Sequence, residues 1–462
     1  MKLVLDKKFN NIILTYLIAI PFALIIGDFA INLVIYSLSF LITITLFFKK
    51  DWSFIENKTI FLFIICWVYL VLISLFIHDL SYKSIGKGTI FGFNLIFSFG
   101  LAYYASKIDF NNLKFFSYIF LALTIFIYID LLYQFLSSEH KDLLGYPVTT
   151  IKEYTIFNQK FKLPLRLSGP FEGELVPGFY LSSMGFLSIL LFFHLNKLFM
   201  KNFFLITFLI INFLFIILTG ERSSIIVGLF FFIYFLLFDN KFNKKKIFQL
   251  FFIIALLIGF VSLMPTTKER FSDISYWQSL YSKRSNIEEI SYTEDLFKSF
   301  KMTDWGKHYS VAIMMIKDKP LFGHGIRSFR NVCKNYELHF TRYEDAGEPP
   351  ITYKNARSIN TIESGCATHP HHYILEIISE TGVIFFIIFS CLIFRILKNF
   401  SKKNNNFNHL SHGTFSIFLS YLFPIRPTGA FFSSWYGSFF WILLAFVIFS
   451  YLINNRNNEK NI

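Results

Sequence analysis

The chain has 462 residues, of which 54% are hydrophobic, 20% aromatic and only 16% charged, with 64 Phe and a formal net charge of +14. Its mean hydropathy is +0.51. A water-soluble domain carries about 25% charged residues, so the composition excludes that class, together with disordered, collagenous and disulfide-stapled small chains. It also argues against a nucleic-acid partner, because the Lys residues fall in short clusters between apolar runs rather than on one basic face.

In chain order, about twelve apolar runs approach the ~20 residues that cross a bilayer as a helix. They are 11–27, 29–48, 59–78, 89–105, 115–136, 174–195, 203–219, 223–238, 247–264, 373–395, 412–425 and 431–453. The expected fold is an all-α polytopic membrane protein, one membrane domain over 1–462. Segment 265–371 is expected as a large outer, periplasmic loop between the ninth and tenth helices, and 138–173 as a second outer segment. Lys2, Lys7, Lys8, Lys49, Lys50, Lys58, Lys241 and Lys244 to Lys246 assort to one side, as do Arg395, Lys398, Lys402, Lys403, Arg456 and Lys460. By the positive-inside rule both termini are then cytoplasmic. The first apolar run lacks a small-residue cleavage site and reads as the first span rather than a signal peptide.

Cys66 and Cys391 fall inside expected spans and read as packing residues. Cys333 and Cys366 share the outer loop, where an oxidising environment would permit a disulfide between them. The alternative is two thiols.

Polar side chains collect at the outer ends of the spans. The first group is His369-Pro370-His371-His372-Tyr373, before the tenth span, with Pro370 suited to a loop-to-helix junction. His371 and His372 are expected in the first helical turn, with Glu376 and Glu380 on one face below His372. Carboxylates inside a span are costly and mark function by default. An imidazole titrating near neutrality suits general-base work. A loop His cluster with outward-reaching acids is the bland alternative. A zinc site from Cys366, His369, His371 and His372 is another, against which stands the lack of a standard zinc spacing.

The second group is Gly220-Glu221-Arg222-Ser223-Ser224, a tight turn between two spans. The third is Pro320 to Arg330, where Gly323 and Gly325 permit a turn ahead of Arg327 and Arg330. Guanidinium groups bind phosphate bidentately and stay charged, so both are candidate anion sites. A membrane-interface anchor and a basic loop surface are the alternatives. The fourth group runs from Arg166 to Glu174, entering the sixth span, and otherwise reads as a turn with a capping acid. The fifth is Pro424 to Trp435, otherwise an interfacial aromatic belt.

Together these features resemble the O-antigen ligase family of bacterial membrane glycosyltransferases, which includes the O-antigen polymerases. The span count and single dominant outer loop match in topology. His371, His372, nine residues and Gly382 keep the spacing of the family's His motif, although His372 stands where an amide or hydroxyl is usual and Phe385 where a second Gly is often found. Gly220-Glu221-Arg222 resembles the family's mid-chain arginine, and Leu321 to Gly325 its glycine turn. The Cys333/Cys366 pair resembles that of a subgroup.

The resemblance implies transfer of a glycan from an undecaprenyl-diphosphate carrier to an acceptor hydroxyl at the periplasmic face of the bacterial inner membrane, without metal ion or cofactor. The acceptor would be lipid A-core in a ligase, or a growing glycan in a polymerase. His371 would be the base or acceptor-orienting group and Arg222 a diphosphate ligand. Arg327, Arg330, Arg166, Glu174 and Glu376 are further substrate-binding candidates. The competing class is a polysaccharide-lipid transporter, disfavoured because the polar residues gather at one face and no internal repeat is visible.

Overall fold

The computed structural model describes residues 2–49, 57–76, 82–148, 151–156, 159–196, 201–237, 304–336, 366–402, 409–423, 429–432 and 435–459, with five isolated positions between 255 and 268. Helices dominate. They are α1 (Lys2–Ile26), α2 (Asp28–Lys49), α3 (Asn57–Phe76), α4 (Tyr82–Ser106), α5 (Phe110–Leu136), α6 (Pro177–Tyr180), α7 (Phe186–Asn196), α8 (Lys201–Leu218) and α9 (Arg222–Leu237). They continue with α10 (Asp304–Asp318), α11 (Phe329–Val332), α12 (Tyr373–Lys402), α13 (His409–Tyr421) and α14 (Trp435–Glu459). Apolar runs of this length become helices because a bilayer offers backbone amides no water, so each must pair within its own segment.

Among the described residues, eight helices are long and apolar enough to cross a membrane, and Phe203–Leu218 and Arg222–Leu236 are shorter apolar helices. The protein is thus a multi-pass membrane protein. Of the twelve expected spans, 247–264 lies outside the described residues save for two isolated positions, and each of the other eleven is occupied by helix. The 412–425 expectation is the most changed: α13 has thirteen residues, is buried on nearly every side, and ends at Tyr421.

The packing has a centre and a rim. In Pro177–Asn196 and Trp435–Asn454, 89% of the most apolar stretch is buried, against 28% in Lys58–Phe76. The rim exposes Phe29, Phe40, Phe47, Phe61 and Phe76, side chains that would meet lipid. Since lipid is as apolar as Phe, helix contacts here rely on close fit and hydrogen bonds. Gly92 admits the Trp67 ring and Gly413 admits Leu190. Ser39 Oγ donates to the Phe93 carbonyl and Ser98 Oγ to the Trp441 carbonyl, each at 2.8 Å, joining α2 to α4 and α4 to α14.

Two local features position the site. Between α6 and α7 the chain forms a π-turn at Leu181–Gly185. Asn212 of α8 donates to the Leu181 carbonyl at 3.1 Å and accepts from Tyr128 at 2.7 Å. Such turns recur at functional sites because they re-aim the helix. Within 138–173, in a chain expected to be all-α, Ile151–Ile156 and Gln159–Pro164 pair as an antiparallel hairpin. It is tied to α5 through His140, whose ring contacts the Gln134 carbonyl at 3.2 Å and the Lys162 carbonyl at 2.8 Å. Gln134 Oε1 also receives the Ser168 and Gly169 N–H groups at 3.0 and 3.1 Å.

Candidate functional site

The His motif sits at the start of α12, with a different register from that expected. The helix begins at Tyr373, and His372 caps it: its carbonyl accepts from Glu376 N at 2.8 Å and its Nδ1 from Leu375 N at 3.3 Å. His371 therefore lies outside the first turn, in the left-handed region at φ 55°. A non-glycine residue there is held by its surroundings at a cost of about 1–3 kcal/mol. Those surroundings are rings. His371 lies 4.0 Å from His369, 4.8 Å from the edge-on Trp305 and 5.3 Å from His308, between centroids. Trp305 and His308 stand one turn apart on α10, and Tyr309 of that helix packs 5.1 Å from His372. Helix α10 thus forms a wall of the histidine site.

About two and a half turns along, α12 is broken. Gly382 adopts φ 80°, ψ 168° inside it, which frees the carbonyls of the preceding turn. Ser379 O and Glu380 O receive His324 N at 3.0 Å and Gly325 N at 2.8 Å, and Val383 N donates to Pro320 O at 2.9 Å. The backbones touch so closely that a Cβ on Gly323 would collide with the Glu380–Thr381 peptide, and one on Gly382 with the Leu321 carbonyl. The glycines at these positions are required by that contact.

The two glutamates do not share a target. Glu376 Oε2 accepts from Phe431 N at 2.7 Å and Oε1 from Phe432 N at 3.4 Å. Glu380 Oε2 accepts from Arg327 N at 2.6 Å and Oε1 from Phe329 N at 3.1 Å. Both carboxylates are buried, at 2% and 1% exposure. Glu376, a substrate-binding candidate, accepts the backbone N–H groups of Phe431 and Phe432 in the 429–432 turn with its two oxygens.

Arg327 is half-buried and, like His371, left-handed, at φ 61°. Burial first, then Arg330, pulls its guanidinium below the ordinary range, while Glu380, Glu376 and Asp28 oppose this. Arg330 follows in α11, and its Nε is buried with no hydrogen-bond partner among the described residues. Two adjacent cationic side chains at a buried edge are an arrangement suited to an anion.

A second cluster adjoins Arg222 in the chain; Arg222 is the first residue of α9 and partly exposed. Its neighbour Glu221 is buried. The Glu221 carboxylate accepts from Gly178 N at 2.8 Å, Phe179 N at 3.1 Å and Ser224 Oγ at 2.8 Å. Burial pushes its carboxyl up from the ordinary range; Arg166 and these hydrogen bonds pull the other way. Arg166 donates from Nη2 to the Leu175 carbonyl at 3.0 Å, and its Nε, too, is buried and unpartnered among the described residues. Glu174 is exposed.

An aromatic cluster joins the two halves. Tyr373 and Tyr421 share a hydroxyl–hydroxyl hydrogen bond, and Tyr421 donates to the Tyr436 carbonyl at 2.9 Å. Phe179 packs on Tyr421, Trp435 and Tyr436. Asp28, at the start of α2, acts electrostatically on both Arg327 and Tyr436. Sequence reasoning missed Asp28, Trp305 and His308. The signal for Asp28 was an acid directly after Gly27 between two spans.

Cys333 and Cys366 are neighbours in a small core with Val311, Ala312, Met315 and Phe329, and a thiol–thiol hydrogen bond links them. Among the described residues no three His, Cys, Asp or Glu side chains stand in an arrangement that could hold a metal ion. The stretch Pro424 to Thr428, with Arg426, lies outside the described residues.

Residues 206–390 match the family described as O-antigen ligase. That segment contains Arg222, Arg327, Arg330, His371, Glu376, Glu380 and Gly382; Arg166 and Glu174 precede it. A protein of Rickettsia conorii (strain ATCC VR-613 / Malish 7), provisionally named a polysaccharide ligase, is 28% identical over 130 residues, 28% of this chain. The match spans 27% of that relative's length. A segment of this multi-pass membrane protein is thus similar to the O-antigen ligase family, and the segment includes the start of α12 and both loop arginines.

Proposed function

We propose that the protein transfers a glycan from an undecaprenyl-diphosphate carrier to an acceptor hydroxyl. It would do so at the periplasmic face of a bacterial inner membrane, with both termini cytoplasmic. The observation that carries this reading is that α12 follows directly on His371 and, nine residues further along, holds the Arg327 backbone through Glu380, inside the segment that matches the family. The acceptor oxygen bonds to the anomeric carbon as the bond from that carbon to the phosphate oxygen breaks. The acceptor proton passes to the His371 imidazole, and undecaprenyl diphosphate leaves. Negative charge gathers on the leaving diphosphate, and guanidinium groups fixed at a low-dielectric edge stabilise it as it develops. Arg222, Arg327 and Arg330 take that role, with Arg166 as a further contributor. Because the diphosphate linkage is already activated, no metal ion is required, and transfer should persist in excess EDTA.

Lipid A-core is the favoured acceptor, giving a ligase; a growing glycan as acceptor would make the same site a polymerase. Polysaccharide-lipid transport is the reading that the His371 assembly does not favour. The test is glycan transfer in purified membranes. Undecaprenyl-diphosphate-linked oligosaccharide is supplied with lipid A-core, and wild type is compared with His371→Ala and Arg222→Ala. Glycan appearing on lipid A-core, and lost in both variants, is the expected result. Lengthening of the donor glycan would make the protein a polymerase. A folded wild type that consumes no donor overturns the proposal for that donor.

A further inference from the structure

We infer that Glu380 is a positioning residue for Arg327, which sets the arginine at a fixed distance along α12 from His371. The inference rests on the glycosyltransferase reading for its kinetic consequence, but not for its geometry. Arg327 stands at φ 61°, a conformation that an L side chain rarely adopts. Such a backbone persists only where neighbours over-determine it. Here the neighbours are all parts of one helical turn. The Glu380 carboxylate takes the N–H of Arg327 at 2.6 Å and of Phe329 at 3.1 Å. The Glu380 carbonyl takes Gly325 N at 2.8 Å and the Ser379 carbonyl takes His324 N at 3.0 Å. These four bonds fix residues 324–329 from both the backbone and the side chain of the same helix.

The carboxylate engages backbone N–H groups rather than forming a salt bridge through the guanidinium. An acid paired to the guanidinium would compete with a diphosphate for the same donors. An acid on the backbone fixes the origin of the side chain and leaves the five guanidinium donors for a ligand. The charges of Arg327 and Arg330 in turn offset part of the cost of burying the carboxylate at 1% exposure. The Gly382 break is needed for the same purpose: an unbroken helix would consume the Ser379 and Glu380 carbonyls four residues later. The nine-residue interval from His371 to Glu380 then acts as a ruler between the proton acceptor and the anion site.

The test uses full-length protein in membranes. Glu380→Gln keeps the volume but offers the two N–H groups only one acceptor. It should lower kcat/KM for undecaprenyl-diphosphate oligosaccharide about tenfold. In the Arg327→Ala background, Glu380→Gln should cost no more than about twofold, because the residue it positions is gone. In the Arg222→Ala background its tenfold cost should remain. Hydrogen exchange of the peptide 323–332 gives a readout independent of turnover: the Arg327 and Phe329 amides should exchange faster in Glu380→Gln. Equal losses in wild-type and Arg327→Ala backgrounds would make Glu380 a general stability residue and overturn the inference. Unchanged exchange at 327 and 329 would overturn it as well. If wild type consumes no donor while exchange at those amides rises as expected, the functional reading fails and the positioning of Arg327 stands.

Discussion

The backbone N–H of Phe431 donates to Glu376 Oε2 at 2.7 Å, joining the start of α12 to the turn before α14 across 55 residues of sequence. Glu221 and Glu380 repeat the arrangement. Each buried carboxylate closes on two N–H groups of a distant turn, Glu221 on Gly178 and Phe179, Glu380 on Arg327 and Phe329. Loops at a membrane surface have amides that neither lipid nor their own segment can satisfy. A carboxylate on a neighbouring helix resolves this and fixes the loop in one step.

Removing the Glu376 carboxylate should therefore cost stability. Glu376→Ala leaves two N–H groups short of an acceptor, at about 1–3 kcal/mol each. Its unfolding midpoint in detergent should fall well below wild type, and Glu376→Gln, which keeps one acceptor, should fall between them. An unchanged midpoint in the Ala variant would show that the brace contributes nothing.

Gly382→Ala tests the helix break. The added Cβ would run into the Leu321 carbonyl at a φ of 80°, where an L residue costs about 1–3 kcal/mol in strain alone. The turn 320–325 should come away from α12, exposing it to protease, and glycan transfer should fall at least tenfold. Gly86→Ala is the contrast. Gly86 lies within α4 with nothing within 4 Å of a new Cβ, so alanine should be neutral or stabilising by up to about 1 kcal/mol. If both substitutions behave alike, the close backbone contact at Gly382 is not as described.

These contacts also mark where reading the sequence stops. Apolar length placed helices in eleven of the expected spans, because a membrane span is a local property of composition. The His371 to Gly382 interval was visible too, although the reason for the glycine was not: its positive φ and its contact with Leu321 depend on a turn 61 residues earlier. Glu376 and Glu380 appeared as two acids on one helical face, and so as a pair. Their targets lie in different segments, 429–432 and 327–329, which no periodicity within α12 can reveal. The hairpin Ile151–Pro164 was missed although Ile151, Tyr154, Thr155 and Ile156 favour strands. Trp305 and His308 reached His371 only through the folding of the 265–371 segment.

Glu221 gives a pH dependence of definite sign. Its carboxyl, outside the spans, is held above the ordinary range by burial. The folded state then binds its proton more tightly than the unfolded state does. The resulting stabilisation is fully present below the unfolded carboxylate range and is lost as pH rises through the folded value. Stability measured against pH should therefore fall across that window more steeply in wild type than in Glu221→Gln, which has no proton to lose. Parallel pH profiles for the two proteins would show that Glu221 titrates as it does in the unfolded chain. A profile rising more steeply in wild type would reverse the sign and place the Arg166 attraction above burial.

The Cys333 and Cys366 thiols adjoin in a core of Val311, Ala312, Met315 and Phe329, which packs α10 against the approach to α12. Hydrogen bonding to Cys366, and then burial, push the Cys333 thiol up. Both sulfurs are buried, at 1% and 7% exposure, so a bond once formed is shielded from attack by small thiolates and should resist their reduction. With an oxidising outer compartment, the expectation is that the pair is closed in the protein as the cell makes it. Peptide mapping without reduction should recover Cys333 joined to Cys366, with Cys66 and Cys391 as thiols. The closed loop of about 33 residues is worth ~3–4 kcal/mol on the chain-entropy model. Cys333→Ser should lower the unfolding midpoint accordingly, and a reductant strong enough to open the bond should lower wild type to the same value without further effect on the variant. Alkylation of both cysteines before reduction would exclude the disulfide and leave the pair as packing residues behind the His371 wall.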